Sequence, residues 1–445
     1  MRRVPLAASA VAAVLIGAAS PGGGDSPLPL RAPAPPTAQP LALAGDGTGS
    51  VLEQLDPATL SPLRRSARLA GGASGWTVSP EHRLLAIDTY PSSSDGSTST
   101  LRFANAATLR WVRRGIRLDG YFVAASWPAE SRLYALTGAS SGSGLSLQTV
   151  DTVAKKIVAH RAIPGTAASV AHAEGGLVVL GEPANAVAPA SLVVVGRQGA
   201  VRSVVLDRIL AGTHVDESSN DPIATTRQPG LAVDAANGVA YVVDPSGLVA
   251  EIRLADLAVA YHRLDRSFLS RLAGWLTPPA EAKGLEGPVL EATWLGDGLI
   301  AVTGTSNSTT RRKDGSTVFS TGPAGLRVVD THDWSERTLD PRTDTAVVAD
   351  GLLLASGGRW SNGDSQSVTG AEGLAAYGSD GTLRWRLDPG TKFWIEAVVG
   401  ARALVQAYAT GGTLQPIQLV DLDSGTVVRT LSPDSSPWPL VGSGS

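Results

Sequence analysis

Gly230-Leu-Ala-Val-Asp-Ala-Ala-Asn-Gly-Val-Ala-Tyr-Val-Val243 reads as two apolar strands folded about a short polar turn at Ala235 to Gly238. The same phrase recurs as Trp76-Thr-Val-Ser-Pro-Glu-His-Arg-Leu-Leu-Ala-Ile87 and as Tyr121-Phe-Val-Ala-Ala-Ser-Trp-Pro-Ala-Glu-Ser-Arg-Leu-Tyr-Ala-Leu136. A second phrase follows the first. Leu55-Asp-Pro-Ala-Thr-Leu60, Phe103-Ala-Asn-Ala-Ala-Thr-Leu109 and Val420-Asp-Leu-Asp-Ser-Gly-Thr426 each set Asp or Asn ahead of Thr, Ser or Gly at a tight turn. Four short strands in every period of roughly 45–50 residues are the signature of propeller blades.

Working outward, complete modules occupy residues 73–118, 119–165, 166–211, 228–265, 288–342, 343–390 and 391–433. Each supplies an inner strand pair, a and b, and an outer pair, c and d. Gly176-Leu-Val-Val-Leu180 and Ser191-Leu-Val-Val-Val195 are continuous apolar runs, as sheets covered on both faces require. A half-module is left at each end. Leu41-Ala-Leu-Ala44 with Ser50 to Leu69 supplies b, c and d, and Trp438-Pro-Leu-Val441 supplies a lone a. The fold class expected is therefore all-β, a single propeller of eight blades over 41–445, closed by its N- and C-terminal strands. Seven blades is the alternative, with the N-terminal segment packed outside the ring. Closure removes the free sheet edges that invite aggregation.

Arg2 and Arg3 followed by the apolar run Leu6 to Ile16 and by Gly17-Ala18-Ala19 read as a secretory signal over residues 1–19. Residues 20–40, rich in Pro, Gly and Ala, read as an extended tether. The expected location is secreted, extracellular or cell-envelope. The chain has no cysteine, which excludes disulfides, thiolate nucleophiles, thiolate metal sites and a lipidated leader cysteine. Charged residues are 17% of the chain and the formal net charge is −3, so no global field draws nucleic acid or an anionic membrane. No apolar run after the leader is long enough to span a membrane, and a monomer is expected.

The connections are unequal. Turns from a to b and from c to d are tight, whereas long segments fall at Pro91 to Ser99, Gly212 to Pro229, Arg266 to Gly287, Thr305 to Ala324 and Gly357 to Glu372. All five lie between b and c or between d and a, which in a meander emerge on one end of the ring. That end is the expected binding face. Phe268, Leu269, Leu272, Trp275 and Leu276 fall on one helical stripe, predicting a helical insertion over 265–278 stopped by Pro278 and Pro279. It would cover apolar ring surface, lid the channel or dock a partner. Arg311 and Arg312, beside Lys313, could meet an anion at a hairpin tip, although such clusters more often serve solubility. Trp360, Asn362 and Asp364 set an aromatic beside polar groups, suited to sugar or peptide contact.

His214, Asp216, Glu217 and Asp221 crowd one connection and could hold calcium or zinc at the channel mouth, against the plainer reading of a solvated loop. Gly138-Ala-Ser140-Ser-Gly142 has the letters of a serine-hydrolase elbow but joins two strands, where that motif needs a strand-to-helix turn.

Asp421-Leu-Asp-Ser-Gly-Thr-Val-Val428 and its counterparts resemble the WD40-like and YVTN-type repeats of secreted bacterial β-propellers, although the Gly-His and Trp-Asp dipeptides of WD40 repeats are missing. Tyr377-Gly-Ser-Asp-Gly-Thr-Leu-Arg-Trp385 looks like one repeat of the quinoprotein dehydrogenase propellers. The resemblance implies an interaction scaffold first, and lactonases, peptidase gates and dehydrogenases less often. The expectation is a non-catalytic binding or scaffold module engaging a protein, peptide or glycan. Its alternatives are a metal-assisted, lactonase-like hydrolase and, more distantly, a quinoprotein-like oxidoreductase.

Overall fold

The computed structural model describes residues 40–45, 49–56, 59–90, 99–112, 114–139, 144–173, 175–216, 223–264, 285–311, 317–361, 367–408, 414–431 and 437–440. All regular structure among them is β, arranged as a propeller. The described strands form seven hydrogen-bonded sheets. Six of these contain one four-stranded meander each, and the twelve-stranded seventh contains two. Counted by sheets the ring has seven members; counted by meanders it has eight, which is what the repeat phrases count.

Ring closure follows the half-modules. Leu41–Gly45 pairs with Gly49–Leu55 on one side and with Pro437–Leu440 on the other, in the register Leu41 to Leu440 and Ala44 to Pro437. Pro62–Arg65 completes that sheet. Successive meanders pack side by side around the ring, and Lys392–Val399 against Pro437–Leu440 makes the last step.

Cores lie between neighbouring sheets, which is why the strands are apolar on both faces. Leu177, Val178, Val179, Leu180 and Leu192 are fully buried. Val178, Leu180 and Leu192 pack with Val242, Ala250 and Ile252 of the following meander, while Leu177 and Val179 join Tyr134, Leu136 and Leu147 of the preceding one. Phe103 meets Trp127 edge-on at 6.4 Å across another junction.

The second repeat phrase is a capped turn. Asp56, Asn105, Asp151 and Asp421 each accept, through a side-chain oxygen, the backbone N–H three residues on, at 2.7–2.9 Å. The carbonyls of Asp56, Asn105 and Asp421 also accept the N–H four residues on. That fifth residue sits left-handed: Leu60, Leu109 and Lys155 at φ 51–56°, and Gly425 at φ 67°. The short Asx side chain closes the turn locally, which explains its recurrence.

The long connections depart from expectation. Four of the five contribute strands where the sequence suggested loops. The end of Val201–Asp216, from Gly212 on, pairs with Ile223–Arg227, which runs parallel to the start of Leu285–Gly296. Leu299–Arg311 continues into Thr317–Pro323, then Arg359–Ser361 and Ser367–Thr369. These extensions fuse two meanders into the twelve-stranded sheet. The physical reason is templating: each extended hairpin offers a free edge, and β-branched runs such as Ile223-Ala-Thr-Thr and Thr317-Val-Phe pair with it. Their mutual pairing gathers the four connections into one accessory sheet. The leader, the tether up to residue 39, the stretch 91–98 and the helical insertion expected at 265–278 lie outside the described residues. No described helix is long and apolar enough to cross a membrane.

Candidate functional site

The end of the accessory sheet builds a cleft. Thr305 and Thr321 lie on its central strands, and Trp360 and Val368 on its last two. Facing them, Lys392 and Trp394 begin the innermost strand of the last complete meander, and Tyr408 ends the strand beside it, in register with Lys392. These seven residues line a recess of about 230 Å³. Trp394 is 44% exposed. Its ring centroid lies 6.5 Å from that of Tyr408, tilted by 40°. Trp360 packs edge-on against Phe319 at 5.9 Å, so the opposite wall is held by an aromatic of the neighbouring strand.

Beneath the rings is a buried ion pair. The Lys392 ammonium donates to Asp344 Oδ2 at 2.5 Å, and the Gly358 N–H donates to the same oxygen at 3.4 Å. Burial pushes the Asp344 carboxyl up from its ordinary value, and the Lys392 charge pulls it back. The Lys392 nitrogen also lies 5.8 Å from the Trp394 ring centroid. Gly357 lets the chain leave its strand here, since a Cβ would fall 2.1 Å from the Arg342 carbonyl oxygen. The Ser356 hydroxyl accepts the Phe393 N–H at 3.0 Å, tying adjacent meanders together under the cleft.

Other titratable groups on inner strands are spread apart. Desolvation raises Glu291, with the Asp344 charge adding to it, and raises Glu396; it lowers His172. Glu291 and His172 keep solvent contact despite their crowded surroundings. A larger recess of about 320 Å³ lies at the outer margin between two meanders, lined by Tyr134, Leu147, Arg132, Arg161 and Gln198 among others. None of the accessory strands reaches it.

The residues singled out in the sequence fare unequally. Trp360 belongs to the cleft. Arg311 ends its strand at the register of Thr317, with only its backbone described. Arg312, Asn362, Asp364, Phe268, Leu272 and Trp275 lie outside the described residues. His214 is exposed on the extended strand, its Nδ1 3.5 Å from the Asn185 carbonyl. Asp216 ends that strand, and its side chain, Glu217 and Asp221 lie outside the described residues. Among the described residues no three His, Asp or Glu side chains cluster as a metal site would require. Ser140 also falls outside them.

The sequence did not single out Lys392, Trp394, Tyr408, Thr305, Thr321 or Val368. A usable signal was present for two: Trp394 and Tyr408 stand at the open end of an a–b hairpin, the end that faces the long connections. Trp385 does not point to a ligand. Its Nε1–H donates to the Leu422 carbonyl at 2.7 Å, and its ring packs against Gly425 of the next meander's turn, a structural role between neighbours.

The chain is thus a β-propeller with an accessory sheet on one face. No family model matches it, and no curated protein does. Three solved structures show a distant likeness, each at a TM-score of 0.39. The computationally designed Ika8 protein is 8% identical, the match covering 87% of this chain and 98% of that one. A functionally unknown protein from Desulfotomaculum acetoxidans is 11% identical over 79% and 95%. BamB from Moraxella catarrhalis is 14% identical over 84% and 94%. Likeness at this level carries no argument about function, which has to come from the site.

Proposed function

We propose that this protein is an exported, non-catalytic binding module of the WD40-like and YVTN-type kind, and that it engages an envelope or extracellular ligand through the face that bears its insertions. One observation carries the reading. Four long connections from different modules hydrogen-bond into a single accessory sheet, and the last strands of that sheet wall an aromatic cleft. Propeller rings close without such a sheet, so its strands are an elaboration beyond what the fold requires. The cleft's polar groups support binding over chemistry. Its lysine is held by a carboxylate beneath it, and no base or nucleophile with an orienting partner stands among the described lining residues.

The test compares wild-type protein with Trp360→Ala and Trp394→Ala variants for sedimentation with isolated cell-envelope material, each variant first shown to be folded by circular dichroism. Weakened sedimentation of both variants is expected. Equal sedimentation of all three proteins refutes the assignment of this face. Export is tested separately, by finding the mature N-terminus near Ser20 in the extracytoplasmic fraction.

A further inference from the structure

We propose that the cleft between Trp360 and Trp394 takes a neutral saccharide unit, one ring of a longer glycan. This rests on reading the insertion-bearing face as a binding surface. Three features converge on that chemistry. The first is the aromatic lining. Trp360, Trp394 and Tyr408 present rings on both sides of the recess, and the exposed Trp394 face is available for contact. The negative face of an aromatic ring attracts the positively polarised C–H bonds that a pyranose presents on its flat sides.

The second is unused hydroxyl capacity. Thr305 and Tyr408 line the cleft, and their hydroxyls have no hydrogen-bond partner among the described residues. The Thr321 hydroxyl donates to Asn307 Oδ1 at 2.9 Å, leaving its lone pairs to accept. A polyhydroxylated ligand meets donors and acceptors around an apolar platform, where a purely apolar ligand would leave these groups without partners.

The third is charge. Among the described residues of the lining Lys392 is the one that carries a charge, and its ammonium is already paired to the buried Asp344. An anionic ligand would compete for Lys392 and strand a carboxylate away from water; a cationic ligand would sit against the ammonium. A neutral ligand disturbs neither. The recess of about 230 Å³ falls below the size that encloses a drug-sized molecule, and so admits one ring at a time.

The experiment titrates the full chain with maltohexaose, cellohexaose and chitohexaose, and with a hexagalacturonate as the anionic counterpart. Binding is followed by tryptophan fluorescence and by isothermal titration calorimetry. Saturable binding of at least one neutral hexaose is expected, tighter than binding of the hexagalacturonate. Affinity should fall more than about tenfold in Trp394→Ala and by a smaller factor in Tyr408→Phe, which removes only the hydroxyl. Binding of no neutral hexaose overturns the proposal, as does tighter binding of the hexagalacturonate or unchanged affinity in Trp394→Ala. If no hexaose binds while Trp394→Ala still loses envelope sedimentation, the saccharide assignment falls and the binding face stands. If Trp394→Ala leaves hexaose affinity unchanged and all three proteins sediment equally, both fall.

Discussion

Replacing Lys392 with methionine removes the ammonium that faces the buried Asp344 carboxylate and keeps a side chain with a similar aliphatic stem. At 2.5 Å the pair attracts by about 7 kcal/mol with an effective dielectric of about 20, before desolvation is charged against it. Breaking such a pair from one side costs about 3–5 kcal/mol. Asp344 has one escape, which is to take up a proton. Neutralising a carboxyl whose unfolded value is 3.8 costs about 1.36 kcal/mol for each pH unit above that value, so about 4 kcal/mol at pH 7 bounds the charge penalty. The same bound at pH 5 is about 2 kcal/mol.

The sign follows from the direction of the shift. Burial raises the folded-state value of Asp344, and losing Lys392 raises it further. The folded variant then holds its proton more tightly than the unfolded chain, and it regains stability as pH falls through the folded value toward 3.8. Urea unfolding of wild type and Lys392→Met, read by tryptophan fluorescence and circular dichroism, should show a deficit of about 3–4 kcal/mol at pH 7 that shrinks by roughly half at pH 5. Adding Asp344→Leu should recover much of the loss, because it removes the stranded charge. A deficit below about 1 kcal/mol at pH 7, or an equal deficit at both pH values, would refute this account of the pair.

Ending the chain after residue 436 removes the strand that pairs with Leu41–Gly45 and opens the ring; a loss of about 2–4 kcal/mol and faster proteolysis near residue 41 are expected from the missing ladder bonds. Asn105→Ala removes the acceptor of the Thr108 N–H at 2.8 Å and of the Thr108 hydroxyl at 2.9 Å, and should cost about 1 kcal/mol by urea midpoint without moving any binding constant. Lys155→Gly relieves a left-handed residue at φ 52° and should leave stability unchanged or raise it by up to about 1 kcal/mol by the same measurement. Desolvation lowers His172, so the folded state favours the neutral ring; its contribution is present above the ordinary value of 6.5 and is lost as pH falls through it. A His172→Gln variant should therefore lose less stability than wild type between pH 7 and pH 5.5, and a parallel pH profile would sink that reading.

Much of the fold was legible because it rests on local, repeated chemistry. Asn105 and Asp421 announce their turns in sequence, since a short Asx side chain reaches only its own next few N–H groups. Leu177 to Leu180 announce a strand covered on both faces. The leftover strand halves at Leu41 and Trp438 could be joined on paper because every other module supplied the missing letter. The site was less legible. Of its lining residues only Trp360 stood out, since Lys392, Trp394 and Tyr408 sit in an ordinary-looking hairpin and Thr305 and Thr321 in a polar stretch that reads as loop.

By itself, then, the sequence determined a repeating β-meander, its turn chemistry, the way its ends close the ring and the face on which its long connections fall. Each of these follows from periodicity and from contacts a few residues apart. Only the tertiary structure decided that those connections become strands of one sheet, that two meanders fuse through them, and that Asp344, Lys392, Trp394 and Trp360 meet. Strand extension depends on a neighbour's free backbone edge, and a cleft depends on which side chains two separate modules bring to the same end of the ring. Neither is written in the spacing of any single repeat.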